Sequence, residues 1–176
     1  MLELSTLGFL YERPMHAYEL RQRISGLSGH IRPVSDGALY PAINRLRAAG
    51  LVDKQTDSAS GRRLLSLTEA GRAELLRRLR DPSEVEITDR NNFFILLAFL
   101  GYLTDPAEQA AVLRRRLTFY EQPASWFYEQ GRPLRAAEMN DRFRRGMLTL
   151  GAATRRADKE WLRTQIAELE EEAKPA

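Results

Sequence analysis

Apolar positions recur every three to four residues in three successive stretches of the first fifty. In LELSTLGFLYE, Leu4, Leu7 and Tyr11 share one helical face, and Pro14 ends the helix. In MHAYELRQRISGLSG the same spacing runs through Leu20, Ile24 and Leu27, with Gly26 and Gly29 predicting a frayed end. After a loop, HIRPVS, a third stripe is formed by Leu39, Ile43 and Leu46. Ser35 or Asp36 stands where a cap belongs, and Gly50 where a helix stops. The period then shortens. LVDKQ and RRLLSLT read as two strands around the turn TDSASG, and Thr68 caps EAGRAELLRRLR, which breaks at Asp81-Pro82. Helix, helix, helix, hairpin, helix is the order of a winged helix-turn-helix, although the order alone also fits a generic small α+β domain.

Beyond that break the pattern is helical throughout. Thr88 is a candidate cap for DRNNFFILLAFLGYL. Asp105, Pro106 and Glu108 open TDPAEQAAVLRRRLTFYEQ with a cap, an N1 proline and an N3 acid. Pro123 and QGRP interrupt the pattern, and from about Arg135 to Ala173 it resumes as one long helix or two. Trp161, Leu162, Ile166 and Leu169 recur there at coiled-coil-like spacing, an apolar stripe that calls for a partner. The expected architecture is mainly α: a winged helix-turn-helix domain over 1–80, a linker over 81–88, and an α-helical dimerisation and effector domain over 89–176.

The third helix is unusual on its outer side. Rotating by roughly 100° per residue places Leu39, Ile43, Leu46 and Gly50 together. Gly37, Pro41, Asn44 and Ala48 fall opposite, with Ala38 and Arg45 on one shoulder and Tyr40 and Arg47 on the other. Small residues permit close approach to a duplex. Asn can pair bidentately with adenine, and Arg with guanine or phosphate. Pro41 falls close to the first turn, where a missing N–H costs least. Lys54, Arg62 and Arg63 flank the hairpin tip, as a wing reaching the DNA backbone requires; basic residues also serve simply to blunt an edge strand. As an isolated helix, Asn44, Arg45 and Arg47 equally fit an ordinary solvated face.

Charge supports the polyanion reading modestly. Positions 1–80 hold 13 basic against 8 acidic residues, and the remainder 14 against 16. The chain has no cysteine, which removes disulfides, thiolate metal sites and thiol nucleophiles and fits a reducing cytoplasm. The start MLELSTLGFLYERP lacks the basic region and cleavage pattern of a signal peptide, and Phe93–Leu103 is too short to span a bilayer. A soluble cytoplasmic protein without a membrane partner is expected. Two distant histidines, His16 and His30, and the absence of HExxH, P-loop and GxSxG patterns leave no catalytic residue and no metal ligand to nominate. Glu138 and Asp141 share helical spacing, as solvated faces routinely do. His16, opening the second helix, reads as a cap or a packed side chain.

The stretches LELSTLGFLYERPMHAYEL, VSDGALYPAINRLRAAGLV and GRRLLSLTEAGRAEL, and more loosely DKEWLRTQIAEL, resemble the PadR-like winged-helix transcriptional regulators. The likeness is dense over 1–80 and rests on helical pattern beyond. Ala17 departs from the family's usual Gly before Tyr18. Ala38 stands where the family usually has Ser or Thr, so a phosphate-binding hydroxyl is missing at that position. The resemblance implies a homodimeric repressor held by its C-terminal helices, without a cofactor. It places Tyr40, Asn44 and Arg45 in one half-site of an inverted-repeat operator in double-stranded DNA, with Arg62 and Arg63 along the backbone. It also implies release by a small effector, such as a planar aromatic compound. Phe119, Tyr120, Trp126, Phe127 and Tyr128 form an aromatic cluster suited to such a ligand, above all Tyr120, Trp126 and Phe127, or equally to a core or a dimer interface. A winged helix serving as a protein-interaction module without a specific operator is the alternative.

Overall fold

Five elements pack on α1 (Leu2–Glu12), because this helix is apolar or small almost all round: Leu4, Ser5, Thr6, Leu7, Gly8 and Leu10 are all buried. In the computed structural model, which describes residues 1–27, 33–56, 63–123 and 125–174, the chain divides into two compact units, Met1–Thr104 and Asp105–Ala176. The Thr6 hydroxyl, buried in the hub, donates to the Leu2 carbonyl one turn back at 2.9 Å, so no polar group is left unsatisfied there. Pro14 ends α1 as expected, and Arg13 turns extended.

The chain then makes a short strand that periodicity does not announce. Met15 and His16 (β1) pair antiparallel with Leu65 and Leu64 of β3 before α2 (Ala17–Leu27) begins. His16 is therefore no helix cap; its Nδ1 lies 3.0 Å from the Arg63 carbonyl and ties the first helices to the wing. The third helix, α3 (Asp36–Ala48), buries Leu39, Ala42, Ile43 and Leu46. It ends in a Schellman motif: Gly50 N–H donates to Arg47 O, Leu51 N–H to Leu46 O, and Gly50 adopts φ +69°. Strands β2 (Val52–Thr56) and β3 (Arg63–Leu67) pair from Val52↔Leu67 to Thr56↔Arg63, giving the sheet order β1-β3-β2. Most of the expected turn TDSASG, with Gly29, His30 and Arg62, lies outside the described residues.

Thr68 caps α4 (Glu69–Arg80) as the sequence predicts, accepting from Gly71 N–H at 3.0 Å and donating to the Gly50 carbonyl at 2.7 Å. Residues 81–88, expected as a linker, hold α5 (Glu84–Thr88) behind a Ser83 capping box. Thr88 belongs to that helix, and Asp89 instead caps α6 (Arg90–Phe99), its carboxylate accepting from Asn92 N–H at 2.8 Å. The α6 end packs on α1. A methyl at Gly8 would stand 2.6 Å from the Phe99 ring, and Phe99 meets Phe9 edge-on at 5.2 Å. Thus Met1–Thr104 holds the winged helix and these two further helices around one core.

The second unit pairs α7 (Pro106–Glu121) with α8 (Arg142–Glu172), each opened by an Asp cap, Asp105 and Asp141. The long C-terminal stretch is one helix. Arg163 with Glu121, Tyr120 with Asp158 and Arg114 with Glu170 fix the two helices antiparallel. Within QGRP, Gln130 and Gly131 form the hairpin tip between β4 (Tyr128–Glu129) and β5 (Arg132–Pro133), both at positive φ, as a type I′ turn requires. The molecule is mainly α, a winged helix followed by a helical domain. Among the described residues no helix is long and apolar enough to cross a membrane.

Candidate nucleic-acid interface

On α3 the exposed set is the one its sequence defines: Gly37, Ala38, Tyr40, Pro41, Asn44, Arg45, Arg47 and Ala48 are all exposed, while the opposite stripe is in the core. Pro41 is the sixth residue of the helix rather than a first-turn residue, because the helix begins at Asp36. It has no N–H to offer the Gly37 carbonyl four residues back. Ser35 is the N-cap, but its side chain makes no capping bond; its backbone carbonyl accepts from Ala38 and Leu39 instead. Asp36 takes Arg21 of α2 at 3.1 Å, which fixes the start of α3 to the preceding helix.

Three cations converge beside this face. The Lys54 ammonium is pushed below its ordinary range by burial first, then by the positive charges of Arg63 and Arg47. β2, β3 and the end of α3 therefore bring Lys54, Arg63 and Arg47 within electrostatic reach of one another. None of the three has a carboxylate partner among the described residues. Like charges held together without a counter-charge are unfavourable in the free protein, and an anion relieves them. Arg45 differs: its Nε donates to Glu3 of α1 at 2.8 Å. Tyr40 is half-exposed and Asn44 exposed, both in reach of an incoming ligand; Arg62 lies outside the described residues.

The remaining residues singled out from the sequence fall in the second unit. Leu162 and Ile166 are buried inside the protomer, 1% and 7% exposed, so they serve its own core rather than an open surface; Leu169 is half-buried. Trp161 is exposed, and so are Phe143, Met147 and Leu150 on the same helix. Positions 143, 147, 150, 154, 157 and 161 follow the four-three spacing of a coiled-coil seam, an outward stripe that sequence reading overlooked because the inner stripe has an almost identical period.

The aromatic residues meet α8 at separate positions. Tyr120 donates to Asp158 Oδ2 at 2.7 Å and accepts from Arg116 Nη2 at 2.5 Å. Burial, with the Asp158 hydrogen bond, raises its pKa. Arg116 is buried, with its guanidinium carbon 4.3 Å from the Tyr120 ring centre and 5.4 Å from that of Phe119. Trp126 lies over Gly151, where a methyl would stand 2.1 Å from its ring, and Phe127 lies under Arg144. Tyr120, Trp126 and Phe127 thus meet α8 at Asp158, Gly151 and Arg144, about two turns apart each time. Glu138 and Asp141 have structural work: Glu138 pairs with Arg132, and Asp141 caps α8. No group of three or more His, Cys, Asp or Glu among the described residues is placed to hold a metal.

A three-helix core with a basic β-wing and an exposed, small-residue third helix defines a winged helix-turn-helix domain. Residues 6–77 match the model of the Transcriptional regulator PadR-like family. Similar solved structures include the PadR-like transcriptional regulator BC1756 from Bacillus cereus, 18% identical, covering 98% of this chain and 99% of that one with a TM-score of 0.41. Bacillus subtilis PadR in complex with operator DNA is 16% identical over 95% and 97%, TM-score 0.43. The same protein in complex with p-coumaric acid is 17% identical over 96% and 98%, TM-score 0.43. No curated protein matches.

Proposed function

We propose that the protein is a sequence-specific, homodimeric transcriptional repressor that binds an inverted-repeat operator in double-stranded DNA in the cytoplasm and is released by a small planar aromatic effector. The observation that carries the reading is the pairing of a flat exposed face on α3 with the cations Arg47, Lys54 and Arg63 beside it, which have no carboxylate partner among the described residues. On this reading Tyr40, Pro41, Asn44 and Arg45 enter the major groove, and Arg47, Lys54, Arg62 and Arg63 take phosphates. Residues 1–80 carry operator binding, residues 81–88 connect, and residues 89–176 carry association and effector response. A second copy covers the outward stripe of α8, Phe143, Met147, Leu150 and Trp161, with Leu169 at its edge. Tyr120, Trp126 and Phe127 are the effector contacts, and no catalytic role is assigned.

Selection of binding sites from random duplex DNA, with the wild type and an Asn44→Ala/Arg45→Ala variant side by side, tests this. Enrichment of an inverted repeat by the wild type and its loss in the variant is expected. Failure of the wild type to enrich any sequence overturns the operator reading and favours a protein-interaction module, whose binding would lack the steep salt dependence of phosphate neutralisation.

A further inference from the structure

Glu3 lies in the first turn of α1, yet its carboxylate serves the recognition helix. Oε1 accepts from Arg45 Nε at 2.8 Å, and Oε2 lies 3.6 Å from Arg78 Nη1 of α4. Residues from three helices meet at this carboxylate. Arg78 is itself held, its Nε donating to Glu74 at 2.6 Å. The chain Glu74–Arg78–Glu3–Arg45 thus runs from the side of the domain to the outward shoulder of α3, and its last member is 63% exposed.

Such a pair adds little to stability at an exposed position. What it does alter is the side chain that the third helix presents. A free arginine samples many rotamers, and ordering it on binding costs entropy; one already held loses less. Of the five N–H donors of a guanidinium, the bond to Glu3 uses the one on Nε and leaves the four on the terminal nitrogens. Those are the donors that match O6 and N7 of guanine as a pair. Arg47, two residues on, has no such anchor among the described residues and suits a phosphate, which tolerates many approach directions. The carboxylate is not a bare negative charge facing DNA, since two guanidiniums flank it. The Arg45 hydrogen bond outweighs burial and, with Arg78, holds the Glu3 carboxyl below its usual range, so it stays ionised at neutral pH.

We propose that Glu3 is a positioning residue for base recognition: it buttresses Arg45 so that the terminal guanidinium nitrogens meet one guanine in each operator half-site. The inference rests on the operator reading above and adds to it the base that is read and the residue behind the reader.

The test takes the operator selected by the wild type and replaces each half-site guanine in turn by 7-deazaguanine or adenine. Affinities are measured for wild type, Glu3→Ala, Glu3→Gln, Arg45→Ala and the Glu3→Ala/Arg45→Ala double variant, with random duplex as reference. One guanine per half-site is expected to cost the wild type roughly 10- to 100-fold when replaced by adenine. Glu3→Ala and Glu3→Gln should reduce that penalty to a few-fold and leave random-duplex affinity equal or higher, and Glu3→Ala should change nothing further once Arg45 is gone. A full guanine penalty in folded Glu3→Ala overturns the proposal. So does an equal gain on all sequences, which would make Glu3 a mere charge screen, or additive losses in the double variant. An operator with no Arg45-dependent guanine overturns the proposal and leaves the operator reading standing. A wild type that selects no sequence removes both.

Discussion

The α-carbon of Gly71 faces the carbonyl oxygen of Leu51 so closely that a methyl group there would lie 2.1 Å from it. That oxygen already accepts from Thr68 N–H at 3.1 Å, and Leu51 closes the cap of α3. Backbone on backbone cannot yield as a side-chain tip can. Gly71→Ala should therefore destabilise the protein by about 1–3 kcal/mol, as overpacking does. Chemical denaturation is the measurement, and a change within error would show that the junction relaxes freely.

Base reading and backbone binding should separate by mutation. Asn44→Ala is expected to weaken the selected operator by about 1–3 kcal/mol, with random DNA little affected. Arg63→Ala should weaken all duplexes about equally and lower the slope of log K against log salt by about 0.9. Affinity titrations at several salt concentrations on both DNAs decide it; equal losses on both DNAs for Asn44→Ala would remove its base-reading role.

The two stripes of α8 should answer differently to substitution. Leu150→Glu, on the exposed stripe, is expected to convert a dimer to monomer at micromolar concentration without loss of helicity. Ile166→Ala, inside the protomer, should cost about 2–5 kcal/mol of stability. Sedimentation equilibrium and thermal unfolding read the two effects, and an unaltered mass for Leu150→Glu would place any interface elsewhere.

How far the sequence carried these conclusions depends on the kind of signal. The outward face of α3, the Gly50 stop and the caps at Thr68, Asp105 and Asp141's helix depend on local spacing and turn chemistry, and all but the last could be placed by inspection. Ser35 looked like a side-chain cap and works through its carbonyl instead. β1 was invisible because two residues have no period; only pairing with β3 defines it. Leu162 and Ile166 looked like an interface because an apolar stripe does not state whether its partner is in the same chain. The Glu3–Arg45 pair, 42 positions apart, has no sequence signal at all, since any of several acids could have faced that arginine.

Acid should act through Glu74. Hydrogen bonds from Arg77, then Arg78, lower its pKa from an ordinary 4.5 to about 2. A carboxyl with a depressed folded-state pKa contributes stability that is complete above the unfolded value and is lost as pH falls through the folded one. Stability should thus decline between about pH 4.5 and pH 2, and less steeply in Glu74→Gln. Denaturation midpoints across that window, with carboxyl titration by NMR, check the sign; a steeper decline in the variant would contradict it.

Gly50, Leu51, Thr68 and Gly71 join the end of α3 to the root of the hairpin with no slack between them. The third helix and the wing are therefore one rigid caliper. On the proposed operator reading, a lesion at this junction would leave every side chain assigned to DNA in place and still spoil the spacing at which they meet a duplex. Loss of binding without loss of a single contact residue is the phenotype to expect from that seam.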